Sequence, residues 1–217
     1  TQIYVGENAT KTITRYDPEA WGTALGTSTA GTAINVGDDS SAMTNIYDYN
    51  GNVYAFKTDG LYQITSDKAL REDTGIDFIQ SNNTGEAVVN RNFFMYFSWG
   101  GFELNQLQKN SALIDMVSLG PNRGNGMPED RRGKVSFLGY HPAGLIVGVD
   151  AGTDGISSIL VRTDPVGYHE IFRAPLTGKS IHSFHWQDNP GTFPRLWINY
   201  GDEIVFQPKG SKQRERI

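Results

Sequence analysis

Residues 52–64 read NVYAFKTDGLYQI: an apolar run from Val53 to Phe56, an Asp-Gly pair at 59 and 60, and a second run in which apolar and polar residues alternate. Alternation with a period of two marks a β-strand, and Asp-Gly between two such runs marks a hairpin, because these residues tolerate the positive φ of a tight turn. The same design recurs at QIYVGENATKTITRYD (2–17), NFFMYFSWGGFELNQL (92–107), GLIVGVDAGTDGISSILVRT (144–163) and RLWINYGDEIVFQP (195–208). Aligned on Ile3, Val53, Phe94, Leu145 and Leu196, the hairpins fall about 40 to 50 residues apart, the period of a four-stranded propeller blade. In several of them the leading run is almost wholly apolar, as in Val53–Phe56, Phe93–Phe97 and Leu145–Val149. Strands buried on both faces read this way.

Flanking runs complete the unit. Upstream of the later hairpins lie MTNIYDY (43–49), EAVVN (86–90), KVSFLGY (134–140) and SIHSFHW (180–186). Downstream candidates are AWGTAL (20–25), IDFI (76–79), IDMVSL (114–119) and YHEIFRA (168–174). No stretch sustains a helical period. The expectation is an all-β fold, a β-propeller of about five four-stranded antiparallel blades over residues 1–208, closed by itself or an arc of a larger ring, with a basic tail at 209–217. The first unit lacks an inner strand and the last an outer one. The competing reading is a β-sandwich, which seldom repeats one hairpin at this interval.

Composition narrows the function. The chain has 217 residues, 20% charged and 38% hydrophobic, with 25 glycines and a net charge of −5. An acidic balance argues against nucleic acid as the partner, since phosphate neutralisation needs clustered Lys and Arg. Zero cysteines exclude disulfides, thiolate zinc sites and cysteine nucleophiles. No apolar run is long enough to span a membrane. No cofactor and no metal site is expected.

The phrases NGNVYAFKTDGLYQI, AGLIVGVDAG and PRLWINYG resemble the divergent β-propeller proteins of phage and environmental viral structural genes. The resemblance implies a virion-associated, non-catalytic module in a tail, fibre or surface decoration, and carries no functional residues over. Marks of other propeller families are missing. No tryptophan is followed by Asp, only Gly100-Gly101 provides a Gly-Gly doublet, and there is no Ser-x-Asp-x-Gly-x-Thr-Trp box.

Candidate binding residues fall in two places. The connection LGPNRGNGMPEDRRGK (119–134), with Arg123, Asn125, Arg131 and Arg132, is a long aperiodic loop of the kind used for binding. Beside it we place Trp99, whose SWGG turn is expected to expose an aromatic suited to stacking on a sugar or an apolar partner. The second place is SIHSFHW, with His182, His185 and Trp186. Residues three apart on a strand face opposite ways, so these histidines cannot share a metal without a bulge, and one of them is expected to turn inward against a neighbouring blade. The loop DAGTDG (150–155) has two acids and no glutamate to close a calcium shell, so it reads as a turn. The expected function is a structural or attachment module binding a protein or a surface glycan, extracellular or on a virion. The alternatives are a polysaccharide-active hydrolase or lyase with paired carboxylates, and an intracellular scaffold.

Overall fold

A computed structural model describes residues 3–16, 30–72, 83–91, 93–100, 103–110, 113–119, 133–141, 144–150, 155–163, 167–174, 177–187, 195–201, 203–208 and 215–216. Among these there are strands and no helix, hence none long and apolar enough to cross a membrane. The first sheet holds β1 (Ile3–Glu7), β2 (Thr12–Tyr16) and β3 (Ala30–Asn35). The second holds β4 (Met43–Tyr49), β5 (Asn52–Lys57), β6 (Gly60–Ile64) and β7 (Ala69–Arg71). The third holds β8 (Val88–Arg91), β9 (Phe94–Trp99), β10 (Glu103–Asn110) and β11 (Leu113–Ser118). The fourth holds β12 (Lys134–His141), β13 (Gly144–Asp150), β14 (Ser158–Thr163) and β15 (Gly167–Arg173). The fifth holds β16 (Ile181–Gln187), β17 (Arg195–Tyr200), β18 (Glu203–Pro208) and β19 (Glu215–Arg216). Each is an antiparallel meander whose strands pair in chain order.

The repeat is visible in single hydrogen bonds. The residue after the last strand of a sheet donates its N–H to the chain at the start of the third strand: Glu72 to Leu61, Leu119 to Leu104 and Ala174 to Ser157, at 2.8 to 2.9 Å. Between the first two strands, Thr58 donates to Ala42, Ser98 to Ala87 and Gly201 to Ser180. The first sheet shows the former bond, Val36 to Lys11 at 2.9 Å. That bond aligns β2 with β6, β10 and β14, and β1 with β5, β9 and β13.

Four cores hold the stack together, one between each pair of consecutive sheets. Ile13, Ile34 and Val36 meet Ala55, Tyr62 and Ile64. Tyr54, Phe56 and Leu61 meet Met95, Phe97 and Trp99. Tyr96 and Leu104 meet Leu138, Val147 and Leu160. Ile146, Ile159 and Phe172 meet Phe184, Ile198 and Tyr200. β13 explains the unbroken apolar runs: Leu145, Val147 and Val149 face the third sheet while Ile146 faces the fifth. Fully burying such a side chain contributes about 1.5–3 kcal/mol. Five sheets with separate cores are not the two facing sheets of a sandwich.

Several expectations need correction. The turn between β4 and β5 is Asn50-Gly51, with positive φ at 51° and 74°. Asp59-Gly60 is not such a turn: the β5–β6 loop is Thr58-Asp59, and Gly60 already pairs with Lys57 as the opening residue of β6. The fourth strand of the second sheet is Ala69–Arg71 rather than 76–79, a stretch outside the described residues, as is AWGTAL. The fifth sheet does have a fourth strand, since Glu215 and Arg216 of the basic tail pair with Phe206 and Val205.

Candidate functional site

Among the described residues named from sequence, Trp99 of the third sheet and the two histidines of the fifth do not come together. Trp99 is fully buried, tilted against Phe97 with ring centroids 5.7 Å apart, because it shares the inward face of β9 with Met95 and Phe97. The aromatic that is exposed lies at the other end of the strand: Phe93, 76% exposed in the turn before β9, with a φ of 71°. Arg123, Asn125, Arg131 and Arg132 lie outside the described residues, as does the side chain of Trp186. His182 and His185 are both exposed, so the inward histidine is not found. The strand is bulged between Ile181 and Ser183, which places His182 in the bulge. Among the described residues no group of His, Asp and Glu could hold a metal ion. Asp150 of the DAGTDG loop is engaged structurally, its Oδ1 accepting the N–H of Ile181 at 2.8 Å and bracing the fourth sheet against the fifth.

The geometry instead draws attention to a cleft of about 250 Å³ where the second and third sheets meet, lined by Tyr49, Asn50, Asn52, Tyr54, Gln63 and Lys109. Its parts are placed by the repeat. The Asn50-Gly51 turn sets Tyr49 and Asn52 on adjoining strands, paired across β4 and β5. Gln63 projects from β6, and its Nε2 donates to Asn52 Oδ1 at 3.0 Å. Lys109, near the end of β10, reaches back across the interface. Its Nζ donates to Gln63 Oε1 at 2.7 Å and to Glu72 Oε1 at 2.5 Å, and lies 5.7 Å from the centroid of the Tyr54 ring. Tyr49 bridges the same seam: its hydroxyl donates to the carbonyl of Phe93 and accepts the N–H of Lys109 at 3.3 Å. The backbone carbonyl of Phe93 is thereby held against a residue that lines the cleft.

The electrostatics are those of a neutral, hydrogen-bonding site. The ammonium of Lys109 is compensated by Glu72, whose hydrogen bond pushes the lysine up against the opposing effect of burial. Burial raises the Tyr54 phenol, so it stays protonated at ordinary pH. The described lining residues include no carboxylate. Amide groups, phenols and one neutralised ammonium can hold a ligand, but provide no acid–base pair for glycoside cleavage, which needs two carboxyl groups a few ångströms apart. Sequence reasoning missed this cleft. Its one legible sign was the Asn50-Gly51 turn, because Gln63 and Lys109 are ordinary polar positions on exposed-looking strands.

No family model matches the chain, and no curated protein is detectably similar. Solved structures share its fold, among them two extracellular domains. One is the extracellular domain of the one component system BT4673 from B. thetaiotaomicron, at 12% identity and a TM-score of 0.63, covering 100% of this chain and 29% of that one. The other is the extracellular domain of the hybrid two component system BT4673 from B. thetaiotaomicron, at 11% identity and a TM-score of 0.59, covering 99% of this chain and 27% of that one. The chain thus spans less than a third of the length of these two structures.

Proposed function

We propose that the chain is an arc of a β-propeller that works outside the cell, on a cell surface or a virion, as a non-enzymatic binding module. Its ligand site is the cleft between the second and third sheets, and the ligand is a neutral glycan. The observation that carries this reading is the composition of the cleft: amide groups from Asn52 and Gln63 beside tyrosines, a lysine neutralised by Glu72, and the exposed Phe93, whose carbonyl accepts the hydroxyl of the lining residue Tyr49. Amides match the paired donors and acceptors of sugar hydroxyls, and an aromatic face suits the apolar side of a pyranose. A volume near 250 Å³ lies below that of drug-sized pockets and holds about one ring. The shared fold with extracellular domains supports the location.

The test is a glycan array followed by calorimetry on the best binder. Asn52→Ala and Phe93→Ala are each expected to weaken binding about tenfold with little change in melting temperature, and no reducing ends are expected to be released. An array without hits, or variants that bind like the parent, would remove the cleft from consideration. Product release would make the protein an enzyme.

A further inference from the structure

The cleft between the second and third sheets has a floor and a mouth. Of its lining residues, Tyr49 and Tyr54 are 1% and 0% exposed and form the floor, whereas Asn50 and Asn52 are exposed at the mouth and Gln63 and Lys109 lie between. The two phenol rings pack on each other, tilted by 54° with centroids 6.0 Å apart. Their hydroxyls differ. That of Tyr49 is spent, donating to the carbonyl of Phe93 and accepting the N–H of Lys109. That of Tyr54 is buried and makes no hydrogen bond. Buried polar groups are nearly always paired, so this one calls for a partner.

The partner is an acceptor. Burial keeps the Tyr54 phenol protonated, and the Lys109 ammonium beside it lies 5.7 Å from the ring centroid. A cation attracts the lone pairs of the phenol oxygen and turns its proton away, which leaves an O–H donor at the floor. The walls offer the opposite. Asn52 Oδ1 accepts one bond, from Gln63 Nε2 at 3.0 Å, and Gln63 Oε1 accepts one, from Lys109 Nζ at 2.7 Å. An amide oxygen has two lone pairs, so each can accept again. A donor below and acceptors above it complement a group with a carbonyl oxygen at its tip and an N–H behind, which is a secondary amide. A carboxylate fits less well. Glu72 Oε1 already sits 2.5 Å from Lys109 Nζ, and a second anion would face it with no further cation among the described lining residues.

We propose that the cleft selects sugars carrying an acetamido group, with the Tyr54 hydroxyl donating to its carbonyl and Asn52 or Gln63 accepting its N–H. This deepens, and rests on, the reading of the cleft as a glycan site. An amide arm projects far enough from a pyranose to reach the buried floor while the ring stays at the mouth, whereas a hydroxyl on the ring stays at the mouth with it. Tyr54 is then the residue that determines specificity.

The experiment compares, on a glycan array and then by calorimetry, oligosaccharides that differ at one position only. That position holds N-acetylglucosamine, glucose or glucuronic acid in one set, and N-acetylgalactosamine or galactose in another. An acetamido sugar is expected to bind at least about tenfold tighter than its 2-hydroxyl counterpart, as one well-placed buried hydrogen bond provides. Tyr54→Phe is expected to erase that preference and to melt no lower than the parent, since the hydroxyl has no protein partner to lose. Equal binding of the paired sugars, a preference that survives in Tyr54→Phe, or tighter binding of the glucuronate would each overturn the proposal and leave the cleft a glycan site. A Tyr54→Phe variant that melts several degrees lower would also overturn it, because an internal water would then hold the hydroxyl. An array on which nothing binds would remove the glycan reading and this proposal together.

Discussion

Lys57 is fully buried, with its ammonium on the carbonyls of Val36 at 2.6 Å and Asp38 at 2.5 Å and 5.7 Å from the centroid of the Tyr62 ring. No sequence signal marks it: Phe-Lys-Thr-Asp reads as a strand running out into a wet turn. The lysine closes the segment after β3 onto the second sheet, and its removal leaves two carbonyls without their donor. Lys57→Met, which keeps the volume, is expected to cost about 3 kcal/mol in a denaturant titration, in the range for uncoupling a buried charged hydrogen bond. A loss under half a kcal/mol would show that water replaces the ammonium. Tyr62, beside it, gives a pH signature. Burial, then the Asp59 carboxylate that accepts its hydroxyl proton at 3.1 Å, pushes the phenol up to about 12. Unfolded, it ionises near its ordinary value of 10. The folded state therefore binds the extra proton between those values, so this contribution is complete below pH 10 and declines as the pH rises toward 12. Tyr62→Phe is expected to flatten the alkaline limb of the stability curve. Parallel limbs for parent and variant would remove Tyr62 as the cause.

The seams between sheets explain why some elements were legible and others were not. Gly85 has a φ of 71°, donates its N–H to Ser98 at 2.8 Å, and accepts Asn45 Nδ2 at 2.8 Å from the neighbouring sheet. A Cβ there would stand 2.2 Å from Phe56 Cγ. Gly51 has nearly the same φ, 74°, with nothing within 4 Å. Gly51→Ala is expected to cost about 1 kcal/mol for the backbone alone, and Gly85→Ala about 3 kcal/mol, because overpacking adds to it. Equal losses in the two variants would mean that the seam relaxes around the methyl group. The hairpins themselves were readable, because apolar runs and glycine turns state strand and reversal locally. β7 was not: three residues carry no periodicity, and the alternation in IDFI was the more visible choice. Trp99 was misread by giving weight to its Gly-Gly turn over its register, two residues from Phe97 on the inward face of β9. The cleft was illegible for a different reason, being built by contacts such as Lys109 to Glu72 that cross 37 positions of sequence.

Across the described residues, consecutive sheets share cores, so the second, third and fourth sheets are packed on both faces and the first and fifth on one. The far face of the fifth sheet is adapted to this. Counting from the bulge, the pair Ser183–Asn199 occupies the position of Asn45–Phe56, and His185–Trp197 that of Tyr47–Tyr54. Asn199 and His185 are exposed where Phe56 is buried and Tyr47 half-buried against the third sheet. The exposure of the two histidines is thus a property of the end of the stack and requires no metal or catalytic role. Stacked repeats with nearest-neighbour interfaces lose stability from their ends, and opening free energies grow with the number of packed faces. Native-state hydrogen exchange is therefore expected to be graded: slowest in β9 and β13, faster in β2 and β17, with the first sheet, three-stranded among the described residues, opening most readily. If all five sheets instead exchange through one global opening, the energy between sheets exceeds that within them, and the one-sided packing of the end sheets has no thermodynamic consequence.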